Sequence, residues 1–491
     1  MRKKNVVLQQ VPVQDYAAEG KAISRVDGKV VFIEGAVPGD VVDVQLSKSK
    51  KDWSEGKAIR FHELSRDRVE AFCHHFGVCG GCKWQMLPYE KQLQYKQHEV
   101  EQNLRRIGKV ELPTVDPIIG CSEHTHYRNK LEFTFSNRRY LLPEEISGPA
   151  FAKASAGERI IIPAENALGF HVPRLFDKII DITTCHLMTE PANAIKNTIR
   201  SFALQHQYTF YDIKAHSGWL RTLIIRICTT GEVMVNVCFG YEDETERKKL
   251  FDHLLQEVPG ITTLLYTINP KFNDTIYDLQ PKAYTGKGYI TEKLRTANGR
   301  DLFFKIGPKS FFQTNTRQAE RLYEVTSRFA ELTGKEVVYD LYCGTGSIGL
   351  FVSEGAAKII GVESVAEAVE DAKENANINN IQQAYFYSGD VIDICNDQFF
   401  AAHGRPDVII TDPPRAGMHD KLVKKILDTE APVVVYVSCN PATQARDLNI
   451  LDEKYAVTKV QPVDMFPHTH HIENVVQLKL RRQENKEEKT D

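Results

Sequence analysis

The sequence has no apolar run long enough to span a bilayer, and its first residues, MRKKNVVLQQ, lack the apolar core and small-residue cleavage site of an export signal. A cytoplasmic chain with no membrane partner is expected. Charge of one sign is also missing, since 62 Lys and Arg against 65 Asp and Glu leave a net of -3. That excludes a wholesale basic coat for nucleic acid but not a local groove. SKSKKDW (Ser47 to Trp53) and SNRRY (Ser136 to Tyr140) are candidate patches, with a solvated lysine-rich loop as the bland alternative. Cysteine is sparse: ten in 491 residues without an export signal argue against a disulfide scaffold, leaving thiols as ligands, nucleophiles or core filler. Internal repeats are absent, and the length exceeds one ordinary core, so several domains are expected.

Hydrophobic patterning divides the chain at 62, 305 and 482. In residues 1–62, KVVFIEG (Lys29 to Gly35), DVVDVQL (Asp40 to Leu46) and GKAIRF (Gly56 to Phe61) read as short strands punctuated by Gly35, Pro38 and Gly39. A small barrel of the oligonucleotide-binding kind is predicted, with a structural cap as the alternative. Residues 63–305 mix types. NKLEFTF (Asn129 to Phe135) alternates, RTLIIRICTTGEVMVNVCFG (Arg221 to Gly240) reads as a hairpin, and Pro88 to Ile107 predicts a helix with Leu93, Val100 and Leu104 on one face. An α+β domain follows. Residues 306–482 alternate helix and apolar strand, the pattern of a doubly wound parallel sheet with ligands at the carboxyl ends of its strands. Its first helix should open at Asn315-Thr316 and stop at Gly334. The charged residues 483–491 are expected to be a disordered tail.

DLYCGTGSIGL (Asp340 to Leu350) ends one strand and opens a helix, and its Gly344, Gly346 and Gly349 satisfy G-x-G-x-x-G. Glu363 ends the next strand, where a carboxylate can accept from ribose hydroxyls. NAD and S-adenosylmethionine enzymes both need that geometry. TDPPR separates them, because a prolyl turn presents Asp412 above the place of a sulfonium, and a hydride-transfer enzyme has no use for it. Amine methyltransferases carry an aromatic ring after the two prolines; here Arg415 stands instead.

Cys439 follows an apolar strand (Val433 to Val437) and precedes Asn440-Pro441. A thiol beside a methyl-donor site suits a target atom that is not nucleophilic until something has been added to the ring. Uracil carbon-5 is such an atom: thiolate addition at carbon-6 makes carbon-5 electron-rich, and a base must later remove the carbon-5 proton. DMFPHTHHIENVV (Asp464 to Val476) offers Glu473 as that base ahead of His468, His470 and His471, each of which is more simply a packing residue. Cys73, Cys79 and Cys82 (C-x5-C-x2-C) are spaced to converge on one metal centre, with zinc and iron-sulfur both open and a fourth ligand required.

With SCNP, DPPR, DLYCGTGSIGL and FPHTHHIE in this order, the chain resembles the RNA uracil-C5 methyltransferases along essentially its whole length. It is most similar to the 23S rRNA (uracil-5-)-methyltransferases that carry an N-terminal TRAM domain and a [4Fe-4S] cluster. The resemblance implies an OB-like TRAM barrel, a central iron-sulfur domain and a Rossmann-like methyltransferase domain. It implies Cys439 as nucleophile and Glu473 as general base. Gln313 in SFFQTN, Tyr342, Ser347, Glu363, Asp390 and Asp412 would line the S-adenosylmethionine site; many members carry Asn or Thr where Ser347 stands. Cys185 in DITTCHLM would be the fourth ligand of a [4Fe-4S] cluster, with Cys121 competing for that place. A monomer acting on rRNA is expected, with tRNA as the alternative, and with Arg128 and Lys130 on RNA phosphates.

Overall fold

The computed structural model describes residues 6–142, 145 and 165–481. The expected tail at 483–491 lies outside them. The N-terminal sheet has six strands, β1 (Val7–Pro12), β2 (Asp15–Tyr16), β3 (Ala22–Val26), β4 (Lys29–Glu34), β5 (Val41–Ser49) and β6 (Trp53–Glu63), in the order β1-β5-β6-β4-β3-β2. β4 to β6 are the three strands legible in the sequence. The Ser24 hydroxyl donates to Pro12 O at 2.7 Å and the Gln14 amide to Ile23 O at 2.9 Å, curling β1 back onto β3 around Val11, Val31, Ile33 and Val44.

Helix α1 (Tyr89–Asn103) lies where the sequence places it, but its buried face differs from the predicted one. Gln92, Lys96 and Val100 are buried, whereas Leu93 is only half-buried. Polar residues can occupy that stripe because a loop from the far end of the chain supplies their partners. The central sheet comprises β7 (Lys130–Ser136), β8 (Ala167–His171), β9 (Ile179–Asp181), β10 (Leu220–Ile227), β11 (Val233–Phe239), β12 (Thr263–Ile268) and β13 (Lys282–Thr285), in the order β13-β12-β11-β10-β7-β8-β9. Helices α2 (Ala192–Gln205) and α3 (Glu244–Glu257) cover its apolar face through Ile195, Ile199, Leu250 and Phe251.

The hairpin β14 (Ile290–Arg295) and β15 (Asp301–Ile306) packs Leu294, Leu302 and Phe304 into the core of the C-terminal sheet. α1 does likewise through Val100 and Leu104, and the Asp116 and Ile119 amides donate to Val460 O and Pro462 O. Packing thus assigns α1, the strand-like stretch after it and this hairpin to the C-terminal core, although all lie before residue 306. Apolar surface, not chain order, decides which sheet a segment joins.

The C-terminal sheet is built from β16 (Val337–Leu341), β17 (Lys358–Glu363), β18 (Ala384–Ser388), β19 (Val408–Thr411), β20 (Val433–Ser438), β21 (Tyr455–Val463) and β22 (Glu473–Leu480), in the order β18-β17-β16-β19-β20-β22-β21. Between or before them run α4 (Thr316–Ala330), α5 (Ser347–Val352), α6 (Ala366–Ile378), α7 (Val391–Ile394), α8 (Asp397–His403), α9 (Asp420–Thr429) and α10 (Pro441–Leu451). α4 opens on Asn315, whose side chain accepts from the Gln318 amide at 3.2 Å. It ends at Glu331 in the left-handed region (φ 51°), before the predicted stop at Gly334. The sheet departs from the all-parallel expectation at one edge: β22 runs antiparallel to β20 and pairs with β21 as a hairpin. That reversal brings the first residue of β22 to the carboxyl end of β20.

Candidate active site

Ser438 on β20 pairs with Asn474 on β22, so Cys439 and Glu473 stand side by side one residue further along the register. Thr411 pairs with Tyr436, which brings Asp412 to the same sheet end. The Asn440-Pro441 pair explains the sharp stop of the strand. Asn440 Oδ1 accepts from the Ala442 amide at 3.2 Å, Pro441 takes the first helical position of α10, and Asn440 Nδ2 donates to Arg415 O at 3.0 Å. One side chain therefore caps a helix and ties the DPPR turn to the thiol.

Electrostatics confirm the convergence. Burial first, then the Glu473 and Asp412 carboxyls, push the Cys439 thiol up to about 12, with Arg415 opposing. Burial raises Asp412 to about 7 and, with Asp412 alongside, lifts Glu473 well above the usual carboxylate range. At neutral pH the site holds a neutral thiol beside two carboxyls that burial biases toward their protonated forms, and Arg415 is the neighbouring cation. Burial drives His468 and His471 down to about 4 and His470 to about 2, so all three are neutral there.

A raised carboxyl keeps its proton in the folded state after the unfolded chain has lost it, so Asp412 costs stability as pH rises from about 4 toward 7. Asp412→Asn should therefore raise Tm at pH 8 and lose most of that gain at pH 5, as read by calorimetry at the two values. An equal gain at both would place the cost elsewhere.

The glycine loop stands one strand away. Gly344 (φ 54°) donates its amide to Glu363 Oε2 at 3.2 Å, while Glu363 Oε1 accepts from the Ser364 hydroxyl and the Val365 amide at 3.0 and 2.9 Å. The carboxylate is held at the strand end by backbone donors. Tyr342 sits in the left-handed region (φ 63°), at a cost of about 1–2 kcal/mol, and its phenol is raised to about 12 by burial and then by Asp390, Asp447 and Glu363. Asp390 is exposed and caps α7 through the Ile392 amide at 2.8 Å. Ser347 Oγ lies 3.0 Å from the hydroxyl of Tyr323, a fully buried residue that the sequence reading missed. Tyr323 reads as one more apolar position on α4, and nothing in the sequence separates it from a core aromatic. Tyr342, Glu363 and Asp390 thus form one group, while Ser347 joins Asp412 and Glu473 through Tyr323, whose phenol both carboxyls raise. Gln313 is buried on the loop entering α4, its carbonyl accepting from Asn129 Nδ2 at 2.9 Å, and no hydrogen bond links it to those carboxyls among the described residues.

Cys73, Cys79, Cys82 and Cys185 line one cavity of about 420 Å³ together with His75, Gly80 and Gly81. Burial and then mutual repulsion among these sulfurs raise Cys79 to about 11 and Cys82 to about 12. Cys121 is engaged elsewhere, its thiol donating to Asp464 O at 3.1 Å. The Thr183 amide donates to His75 Nε2 at 3.4 Å, so Nδ1 carries the ring proton and is left buried without a partner. Among the described residues no three His, Cys, Asp or Glu side chains close around a single metal ion. The N-terminal domain reaches this region too. Trp84 Nε1 donates to Gly20 O at 3.4 Å, and a Cβ on Gly20 (φ +68°) would lie 2.8 Å from His470 Cβ.

The chain is similar to known proteins along nearly its whole length. Residues 279–481 match the family model described as tRNA (Uracil-5-)-methyltransferase, and residues 2–59 match that of the TRAM domain. A protein of Bacteroides thetaiotaomicron described as an uncharacterized RNA methyltransferase is 53% identical over 469 residues, 95% of this chain and 100% of that one. Another, of Porphyromonas gingivalis, is 48% identical over 473 residues, 95% and 98% of the two chains. The crystal structure of Pyrococcus abyssi tRNA (uracil-54, C5)-methyltransferase in complex with S-adenosyl-L-homocysteine matches with a TM-score of 0.71 at 26% identity, covering 96% of this chain and 100% of that one. The chain therefore belongs to the S-adenosylmethionine-dependent RNA (uracil-5-)-methyltransferases that carry a TRAM domain.

Proposed function

We propose that the protein methylates carbon-5 of a specific uridine in 23S rRNA through a covalent adduct on Cys439. The observation that carries this reading is the β20/β22 register, which sets a thiol beside a buried carboxyl at the donor end of the sheet. Cys439 gives up its proton to solvent water and its sulfur bonds to uracil carbon-6, moving the carbon-5/carbon-6 double-bond electrons into the enolate. Carbon-5 then takes the methyl group as the sulfonium C–S bond breaks. Glu473, in the ionised form that Arg415 favours against burial and Asp412, removes the carbon-5 proton, the ring double bond re-forms, and the sulfur leaves carbon-6. Because burial and the carboxyls oppose ionisation of the thiol, the step depends on Arg415 and on alignment, which is worth roughly 7–11 kcal/mol. The uridine must leave its stack to reach a strand end.

Gln313, Tyr342, Ser347, Glu363, Asp390 and Asp412 are proposed to hold the donor, with Glu363 on the ribose. The Arg128 guanidinium lies 5.8 Å from the Phe466 ring, beside the loop that leads to Glu473, which suits a phosphate contact at the entrance. A [4Fe-4S] cluster fits Cys73, Cys79, Cys82 and Cys185: four thiols line one cavity, and the unpartnered His75 Nδ1 proton is a donor for sulfur. Bound there, it would tie residues 73–82 to the Cys185 segment and order the RNA face, since methyl transfer requires no electron.

RNA substituted with 5-fluorouridine tests the chemistry, because fluorine cannot leave as a proton does. Incubation with donor should trap the RNA on Cys439, found by mass spectrometry of the linked peptide, and a folded, donor-bound protein that traps nothing would end this reading. A tRNA substrate is favoured by the likeness to the Pyrococcus abyssi enzyme. Labelled methyl donor with 23S rRNA and tRNA transcripts distinguishes the two by which RNA takes up the label.

A further inference from the structure

Helix α1 carries two fully buried polar side chains one turn apart, Gln92 and Lys96, and both reach the loop between β21 and β22. Lys96 Nζ donates to Asp464 Oδ1 at 2.6 Å and to Phe466 O at 3.2 Å, and neither side chain of the ion pair is exposed to solvent. Asp464 is further fixed by the Tyr89 hydroxyl at 2.7 Å, by the Phe466 amide at 3.0 Å and, through its backbone amide, by Ile119 O at 2.9 Å. Gln92 holds the middle of the same loop: its Oε1 accepts from the His468 amide at 2.8 Å and its Nε2 meets His468 Nδ1 at 3.2 Å. The Lys83 and Trp84 amides, directly after Cys82, donate to His468 O at 2.8 and 3.0 Å. The loop ends at Glu473.

A stable core does not need this arrangement. Burying an ammonium and a carboxylate is offset only when their mutual geometry and remaining hydrogen bonds are good, and apolar residues of similar size would hold a helix on a sheet as well or better. The pair instead fixes the first part of a loop whose middle is held at His468 by Gln92 and by the Lys83 and Trp84 amides. We infer that Lys96, with Asp464, is the positioning residue for the general base, clamping the loop so that the Glu473 carboxyl faces carbon-5 of the adduct. This deepens the covalent reading and rests on it.

Lys96→Met separates positioning from folding. The variant should bind S-adenosylhomocysteine and RNA as the parent does, keep KM, and lose roughly 10²-fold in kcat, the scale of a displacement of about 1 Å. Adduct should accumulate with ordinary uridine RNA, as in Glu473→Gln run alongside. If Lys96→Met unfolds, Lys96→Met/Asp464→Asn removes the unpaired buried charge and serves in its place, with stability recovered and turnover still low. A double variant that turns over like the parent would overturn the inference, as would a folded Lys96→Met protein with low kcat and no adduct while Glu473→Gln accumulates it. If Glu473→Gln itself accumulates none, the failure lies with the covalent reading and takes the inference with it.

Discussion

Cys439→Ala is expected to lose methylation by roughly 10⁴-fold or more while still binding donor and RNA. The reason is chemical. Carbon-5 of uracil does not attack a sulfonium methyl until carbon-6 has been saturated, and among the described residues no other thiol is placed to replace Cys439: Cys343, after β16 at the same sheet end, is buried in the core against the glycine loop, and Cys73, Cys79, Cys82 and Cys185 line a different cavity. The check is 5-methyluridine in RNA digests by mass spectrometry, together with loss of trapping on fluorinated RNA. Ordinary product formation by the alanine variant would remove the thiol from the mechanism. The parent thiol has its own signature. Since burial, Glu473 and Asp412 raise it to about 12, alkylation by iodoacetamide should be slow at pH 8 and accelerate with rising pH well beyond the range of an ordinary thiol at about 8.5. Arg415→Ala should slow it further, because the arginine is the charged group opposing that rise.

Glu473→Gln is expected to arrest the reaction after methyl transfer. Turnover should fall by about 10²–10⁴-fold, the usual worth of a positioned base, and a methylated adduct should persist on denaturing gels with unmodified RNA. The same change should speed alkylation of Cys439, because Glu473 is the first charged group raising the thiol. Those two effects have opposite directions, so together they distinguish loss of the base from a collapsed site. Normal turnover by the glutamine variant would assign proton removal to another group.

Much of the site is legible in the chain because short motifs carry it. A glycine loop after a strand, a carboxylate at the next strand end, a prolyl turn after a third and a thiol before Asn-Pro each declare a strand end through their own turn chemistry. Misreadings arose where burial depends on distant partners. The apolar period predicts a face of Leu93, Val100 and Leu104 on α1, whereas Gln92 and Lys96 are buried with Val100 because the loop at 464–471 supplies their partners. Glu331 ends α4 early through a left-handed cap that the residue type does not announce. Tyr323 was missed since a buried tyrosine looks like any core aromatic until its hydroxyl is found against Ser347.

By itself the sequence determined the local elements, the chemistry each could perform and the presence of a donor-binding sheet, because these depend on turn geometry and hydrophobic period over a few residues. Tertiary structure alone decided that β22 enters antiparallel beside β20, and that α1 packs on the C-terminal sheet and grips the loop before Glu473. The β20/β22 register joins residues tens of positions apart and the Lys96–Asp464 pair joins residues 368 apart, separations that no local propensity reaches.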